Sequence, residues 1–358
     1  MNGKEDSLAK KTSAIIFAVS LYWTVSISMV FVNKYLLSST NLQFDAPLFI
    51  TWFQCVVTVA LCWLLAQFAK YQPGLIKFPA FSIDPKIARE ILPLSVVFVG
   101  MITFNNLCLK YVSISFYMVV RSLTTVFNVI LTYIFFGEKT SHKALGCCAI
   151  IITGFLMGID QEKGLGSLSI AGVFFGISAS LFVAMNAIYT KKSLNFVENN
   201  IWKLTMYNNV NACVIFIPFI LLFGEHNEIF DFPLIFDSFF WFTMIIGGVL
   251  GFSMGYVTSL QIQATSPLTH NVSGTAKAYA QTLLGVFYFN EVKTFLWWIS
   301  NGFVLLGAAL YSHVRNQEMK ERHRQSLEVP QKDSGINKVD KQDNHSIISE
   351  NNPSEFKN

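Results

Sequence analysis

Apolar stretches of bilayer-spanning length alternate with short polar clusters along most of the chain. A helix needs about 20 apolar residues to cross hydrocarbon. Windows of that kind fall near 13–33, 47–69, 91–109, 114–136, 143–159, 170–190, 201–223, 239–261, 268–289 and 294–314. They predict an all-α membrane protein with ten transmembrane helices. Arg121 interrupts the window at 114–136, whose assignment rests on length and flanks. Thr24, Ser26 and Ser28 break the first window and no small-residue cleavage site follows, so it is expected to remain as a span. After Val314 the chain turns to Lys, Glu, Asn, Ser and Gln, and 315–358 reads as a disordered tail.

Composition agrees with this pattern. Mean hydropathy is +0.46, with 53% hydrophobic and 13% charged residues, far from a soluble average. The charges are also sorted. With the 1–12 segment in the cytosol, sixteen Lys and Arg of the loops and near-span flanks share its side. Only Lys34, Lys110, Lys163 and Lys293 lie opposite. That asymmetry predicts cytosolic termini. The net charge of +4 is accounted for by these flanks and calls for no nucleic-acid surface. All six cysteines fall inside spans and read as small apolar fillers rather than a disulfide framework.

An internal repeat organises the windows. A shift of 153 residues overlays 111–140 on 264–293 without a gap, pairing Ser113 with Ser266, Glu138 with Glu291, Met101 with Met254 and Gly154 with Gly307. Five spans per half is an odd number, so the second half must enter the membrane from the opposite face. The expected domains are therefore a 13–159 repeat and a 160–314 repeat of inverted topology, an arrangement secondary transporters use around a midplane site.

Candidate chemistry sits on this frame. Two basic side chains lie deep within apolar windows, Arg121 and Lys277, whereas Lys143 and Lys203 stand at window edges. A cation there costs roughly 2.5–3.5 kcal/mol on insertion scales and normally faces a partner. No acid lies deep in any span, so the pair suits a dianionic phosphate-bearing ligand, with Arg offering a bidentate fork and Lys a point charge. Snorkelling to helix-end carbonyls is the alternative. The shift maps Arg121 onto Gly274, one helical turn before Lys277. Tyr207, Asn208 and Asn209 offer a ring and two carboxamides that could read a purine or glue helices together. Asn271, Ser273 and Gly274, beside Lys277, suit a sugar or a close-packed helix. Gly247, Gly251 and Gly255 form a small-residue stripe expected to pack helices. No Walker A, metal-protease or paired-cysteine motif is present, and no carboxylate pair within the spans could run acid–base catalysis. A multispan transferase or hydrolase would have to work with the acids of 225–237.

The strings "PLSVVFVGMITFNNLCLKYV" at 93–112, "RSLTTVFNV" at 121–129, "YNNVNA" at 207–212 and "SPLTHNVSGTAKA" at 266–278 resemble those of nucleotide-sugar transporters in the drug/metabolite transporter superfamily. In the GDP-mannose members a Phe-Tyr-Asn-Asn motif contacts guanine; Tyr207, Asn208 and Asn209 match it, with Met206 for the Phe. Their Gly-Ala-Leu-Asn-Lys motif contacts phosphate and sugar; Lys277 matches its Lys, while Ser273 and Ala276 replace its Gly and Asn. The resemblance places Tyr22 in the sugar pocket and puts Thr269 where the mannose carriers have a tyrosine. It implies ten helices, no enzymatic activity, no cofactor and no metal. It further implies exchange across a Golgi membrane of a cytosolic GDP-sugar for luminal GMP. The departures at 273 and 276 put mannose recognition in doubt and agree with a different sugar. The resemblance as a whole implies GDP-fucose, with GDP-mannose or another nucleotide sugar as the alternative. A sugar-phosphate exchanger of the same superfamily and a homodimeric assembly stay open.

Overall fold

The computed structural model describes residues 2–38, 44–72, 78–137, 139–164, 166, 168–264, 267–318, 320 and 321. Twelve α-helices run in order through them: α1 Asn2–Ser38, α2 Pro47–Tyr71, α3 Pro85–Tyr111, α4 Ile114–Arg121, α5 Leu123–Phe136, α6 His142–Gly164, α7 Ile170–Ser193, α8 Ile201–Leu222, α9 Glu225–Asp231, α10 Ser238–Ala264, α11 Pro267–Tyr288 and α12 Phe295–Glu318. Among the described residues nine segments are long and apolar enough to cross a membrane, α4 and α5 together making one of them. The remaining expected window, 268–289, is α11. Its 22 residues span about 33 Å at 1.5 Å per residue. Outward-facing side chains such as Ile134, Leu222 and Phe287 are 65%, 80% and 74% exposed, as lipid-facing positions of an all-α membrane protein require.

Helix starts follow local chemistry. Asp84 accepts from Lys86 N ahead of Pro85, so α3 begins at Pro85 rather than near 91. Ser113, Ser169 and Asn200 cap α4, α7 and α8 in the same way. The α2 start lacks a cap of its own. Glu225, from the short helix α9, supplies one by accepting from Leu48 N at 3.0 Å and Phe49 N at 2.8 Å. Burial pushes the Glu225 carboxyl above the usual carboxylate range, and those two amides pull against it. Gly137 ends α5 in the left-handed conformation, φ 65°.

The bundle pairs α1 with α10, α3 with α7, α2 with α8 and α4 with α11, while α2 also meets α10 and α3 also meets α8. Where helices touch most closely, glycine makes room. A Cβ on Gly154 would lie 2.8 Å from Ser300 O and from Val304 Cγ2. One on Gly307 would lie 2.7 Å from Ile151 Cγ1 and 3.1 Å from Cys147 O. The expected α10 stripe packs only in part. Gly247 and its neighbour Gly248 press on Gln54 and Val57 of α2, whereas Gly255 has nothing within 4 Å. The cysteines are free thiols, five of them buried.

One end of the bundle, where the chain turns at 111–113 and 289–294, is closed by buried polar groups. Lys293 pairs with Glu162 and lies 3.3 Å from Glu291, with side chains only 4%, 3% and 13% exposed. Trp297 Nε1 donates to Glu162 at 2.9 Å, and Ser115 donates to Glu291. At the same end Lys34 donates to the carbonyls of Leu109 and Val112 at 2.5 and 2.7 Å. Helix α6 runs on to Gly164, past the expected half boundary at 159–160, and α12 continues to Glu318, past 314. Glu138, Ser266 and residues 322–358, hence most of the expected tail, lie outside the described residues.

Candidate functional site

A cavity of about 600 Å³ lies between α1, α3, α4, α11 and α12, within the roughly 300–1,000 Å³ typical of small-molecule sites. Arg121 and Lys277 both line it, together with Tyr22, Ser26, Asn105, Tyr117 and Gly274. No Asp or Glu is among its described lining residues. Two cations thus share one concave space, with no carboxylate among the described residues that line it.

Local structure explains how each cation is presented. The apolar window at 114–136 is one span in length but two helices in detail, since Arg121 is the last residue of α4 and Ser122 breaks the ladder. Ser122 Oγ donates to Val119 O at 2.7 Å, and Ser180 Oγ of α7 donates to Val120 O at 3.0 Å. These bonds satisfy two carbonyls of the helix end, those of the buried Val119 and Val120. A cation at that end is favoured by the helix dipole. Arg121 Nη1 donates to Tyr117 Oη at 2.9 Å, and its side chain stays exposed to the cavity.

Lys277, on α11, donates to Ser26 Oγ at 2.6 Å and lies 3.3 Å from Tyr22 Oη. Its ammonium also stands 4.8 Å from the centroid of the Tyr22 ring, a cation–π contact. Neutral hydroxyls and a ring hold the charge without cancelling it. Gly274 lies one turn away and a Cβ there would meet nothing within 4 Å, so the backbone faces open cavity.

The other expected residues are distributed more widely. Ser273 Oγ accepts from Trp23 Nε1 and Gln261 Nε2, each at 2.8 Å, and ties α11 to α1 and α10. The side chains of Thr269 and Asn271 lie outside the described residues. Tyr207, Asn208 and Asn209 are buried on α8 and are not among the residues lining this cavity. Tyr207 Oη donates to Ser82 O at 3.0 Å and accepts from Asp84 N at 2.9 Å, which fixes the segment leading into α3. Asn209 Nδ2 donates to Thr205 O at 2.8 Å in its own helix. Asn208 Oδ1 is buried with no hydrogen-bond partner among the described residues.

Sequence reasoning missed Ser26 and Tyr117, which hold the two cations. Their signal was position: Ser26 stands one helical turn from Tyr22, and Tyr117 one turn from Arg121.

Comparison with known proteins agrees with a carrier. A relative from Caenorhabditis elegans described as "GDP-fucose transporter" is 60% identical over 309 residues, 86% of this chain and 84% of the relative. The mouse "GDP-fucose transporter 1" is 57% identical over 307 residues, 86% of this chain and 85% of the mouse protein. A Drosophila melanogaster relative, "GDP-fucose transporter, Golgi", is 45% identical over 330 residues, 92% and 98% of the two chains. The model of the Triose-phosphate Transporter family matches residues 13–312, and the chain belongs to that family.

Proposed function

We propose that this protein is an antiporter that carries GDP-fucose from the cytosol into the Golgi lumen and returns GMP. The observation that carries the reading is the convergence of Arg121 and Lys277 on one cavity without acids. A diphosphate diester brings two negative charges, which match the two cations. GMP is also close to dianionic and satisfies the same pair.

Exchange follows from electrostatics. A loaded carrier presents a neutralised site to the dehydrated, occluded state, whereas an empty one would carry two uncompensated charges through it. The names of the animal relatives favour GDP-fucose, and the Drosophila name favours the Golgi.

The helix pairings support two inverted five-span halves, 13–159 and 160–314. Counting α4 with α5 as the fourth span and α11 as the ninth, a two-fold exchange turns the α1–α10 contact into α3–α7. It also turns α2–α10 into α3–α8 and returns α2–α8 and α4–α11 to themselves. In this arrangement Arg121 and Lys277 are the phosphate-binding pair on opposite sides of the axis. Tyr22, Gly274, Ser273, Asn271 and Thr269 form the sugar end. Tyr207, Asn208 and Asn209 form the guanine end, where the unpartnered Asn208 Oδ1 is suited to accept from the base.

Uptake of labelled GDP-fucose into liposomes reconstituted with the protein tests this reading. Uptake should require GMP inside and should yield to excess unlabelled GDP-fucose more readily than to GDP-mannose. Equal uptake into GMP-free liposomes would reject exchange, and stronger competition by GDP-mannose would reassign the sugar. Asn208→Ala should weaken GDP-fucose and GMP together, since both carry guanine. Loss of the sugar nucleotide alone would remove Asn208 from the base site.

A further inference from the structure

Around Arg121 the hydrogen bonds form a directed chain. Asn105 Nδ2 donates to Met101 O at 2.7 Å in its own helix, which fixes the carboxamide and turns Oδ1 toward α4. Tyr117 Oη donates its proton to that Oδ1 at 2.9 Å. With its hydrogen committed, the phenol oxygen can only accept, and it accepts from Arg121 Nη1 at 2.9 Å. Asn105 Oδ1 also lies 3.4 Å from Nη1. Asn105 is 9% exposed and Tyr117 3%, so water cannot readily substitute for either.

Every acceptor in this chain is neutral. A carboxylate in place of Asn105 would also accept from Nη1, but it would cancel the guanidinium's charge and lose the donation to Met101 O that orients the side chain. A phenol and an amide fix the direction of Nη1 and leave the positive charge and the other guanidinium donors to an incoming anion. We infer that Asn105 and Tyr117 are positioning residues that aim the guanidinium of Arg121 at the phosphoryl oxygens of the cargo while preserving its charge. The inference rests on the exchange of phosphate-bearing cargo proposed above.

Two near-isosteric variants test it in liposomes. Tyr117→Phe removes one oxygen, and Asn105→Asp changes an amide to a carboxylate of the same size. For Tyr117→Phe the KM for GDP-fucose should rise about tenfold, the scale of one lost charge-assisted hydrogen bond, with Vmax within about twofold of wild type. Asn105→Asp should raise KM further, because its carboxylate competes with the cargo, although it also gives up the donation to Met101 O. In an Arg121→Lys background, which keeps the charge and loses the fork, Tyr117→Phe should change KM by less than about twofold. An unchanged KM in both single variants, or the full tenfold effect in the Arg121→Lys background, would overturn the positioning role. Failure of the wild-type protein to exchange any phosphate-bearing cargo would instead bring down the functional reading beneath it.

Discussion

Gly154 and Gly307 pack reciprocally. Gly154 sits on Ser300 and Val304, and Gly307 sits on Cys147 and Ile151. Each of these contacts becomes the other when 153 is added or subtracted, so α6 and α12 meet through one self-complementary patch used twice. Such reciprocity is what the two-fold arrangement proposed above predicts for an interface within one chain. Backbone atoms are among the nearest neighbours at both positions, so a larger residue cannot be relieved by a rotamer change. Gly154→Val and Gly307→Val should each destabilise the protein by about 1–3 kcal/mol or more, read as a lower melting temperature in detergent. Gly255→Ala, where nothing lies within 4 Å, should melt as wild type does.

Lys277→Ala should abolish GMP-driven uptake while leaving the fold intact. The ammonium contributes its charge to the cavity and only neutral contacts to Tyr22 and Ser26, and removing a desolvated cation relieves a cost. Unaltered melting with less than about 5% of wild-type uptake is the expected pair of results. Wild-type-like exchange would refute the clamp of two cations.

Glu162→Gln should be among the most destabilising single substitutions at its end of the bundle. It leaves Lys293 with only Glu291 as an ionic partner, and breaking a buried pair costs about 3–5 kcal/mol. The triple substitution Glu162→Gln, Glu291→Gln and Lys293→Met should recover most of that loss, since it removes every charge of the cluster together. Thermal melting of the two variants checks the order.

The Glu225 carboxyl titrates above its unfolded value because burial disfavours its charged form. The folded state therefore binds this proton more tightly than the unfolded chain. Stability contributed by this group is lowest above the folded pKa and rises as pH falls through it. Melting temperatures taken from pH 7.5 down to the ordinary carboxylate range should show this gain. Glu225→Gln keeps one acceptor for Leu48 and Phe49 and should flatten that part of the profile.

Much of this architecture was legible in the chain because hydrocarbon is an unforgiving solvent. It forces long apolar runs, and it makes two stray cations such as Arg121 and Lys277 conspicuous enough to pair before any coordinates. The break after Arg121 was not legible. Ser122 is neither Gly nor Pro, and the bond from Ser180 to Val120 depends on which face α7 presents. Tyr207 was read by its ring, whereas its hydroxyl holds Ser82 and Asp84, a role fixed by the path of a loop more than a hundred residues earlier. Glu162 and Lys293 stand at the ends of apolar windows, where isolated charges look like wet flanks. Only their burial together near the turns at 111–113 and 289–294 shows them to be dry.

That dry cluster has a kinetic meaning. Any motion that parts α6 from the turn before α12 must pull Glu162 and Lys293 asunder, yet each ion regains hydration as soon as water enters. The energetic peak therefore falls early, when the charges have separated and the solvent has not arrived. In the exchange cycle proposed above, a latch of this kind would resist small fluctuations, yield abruptly, and make the rate at which that end opens more sensitive to these two side chains than the balance of its closed and open forms.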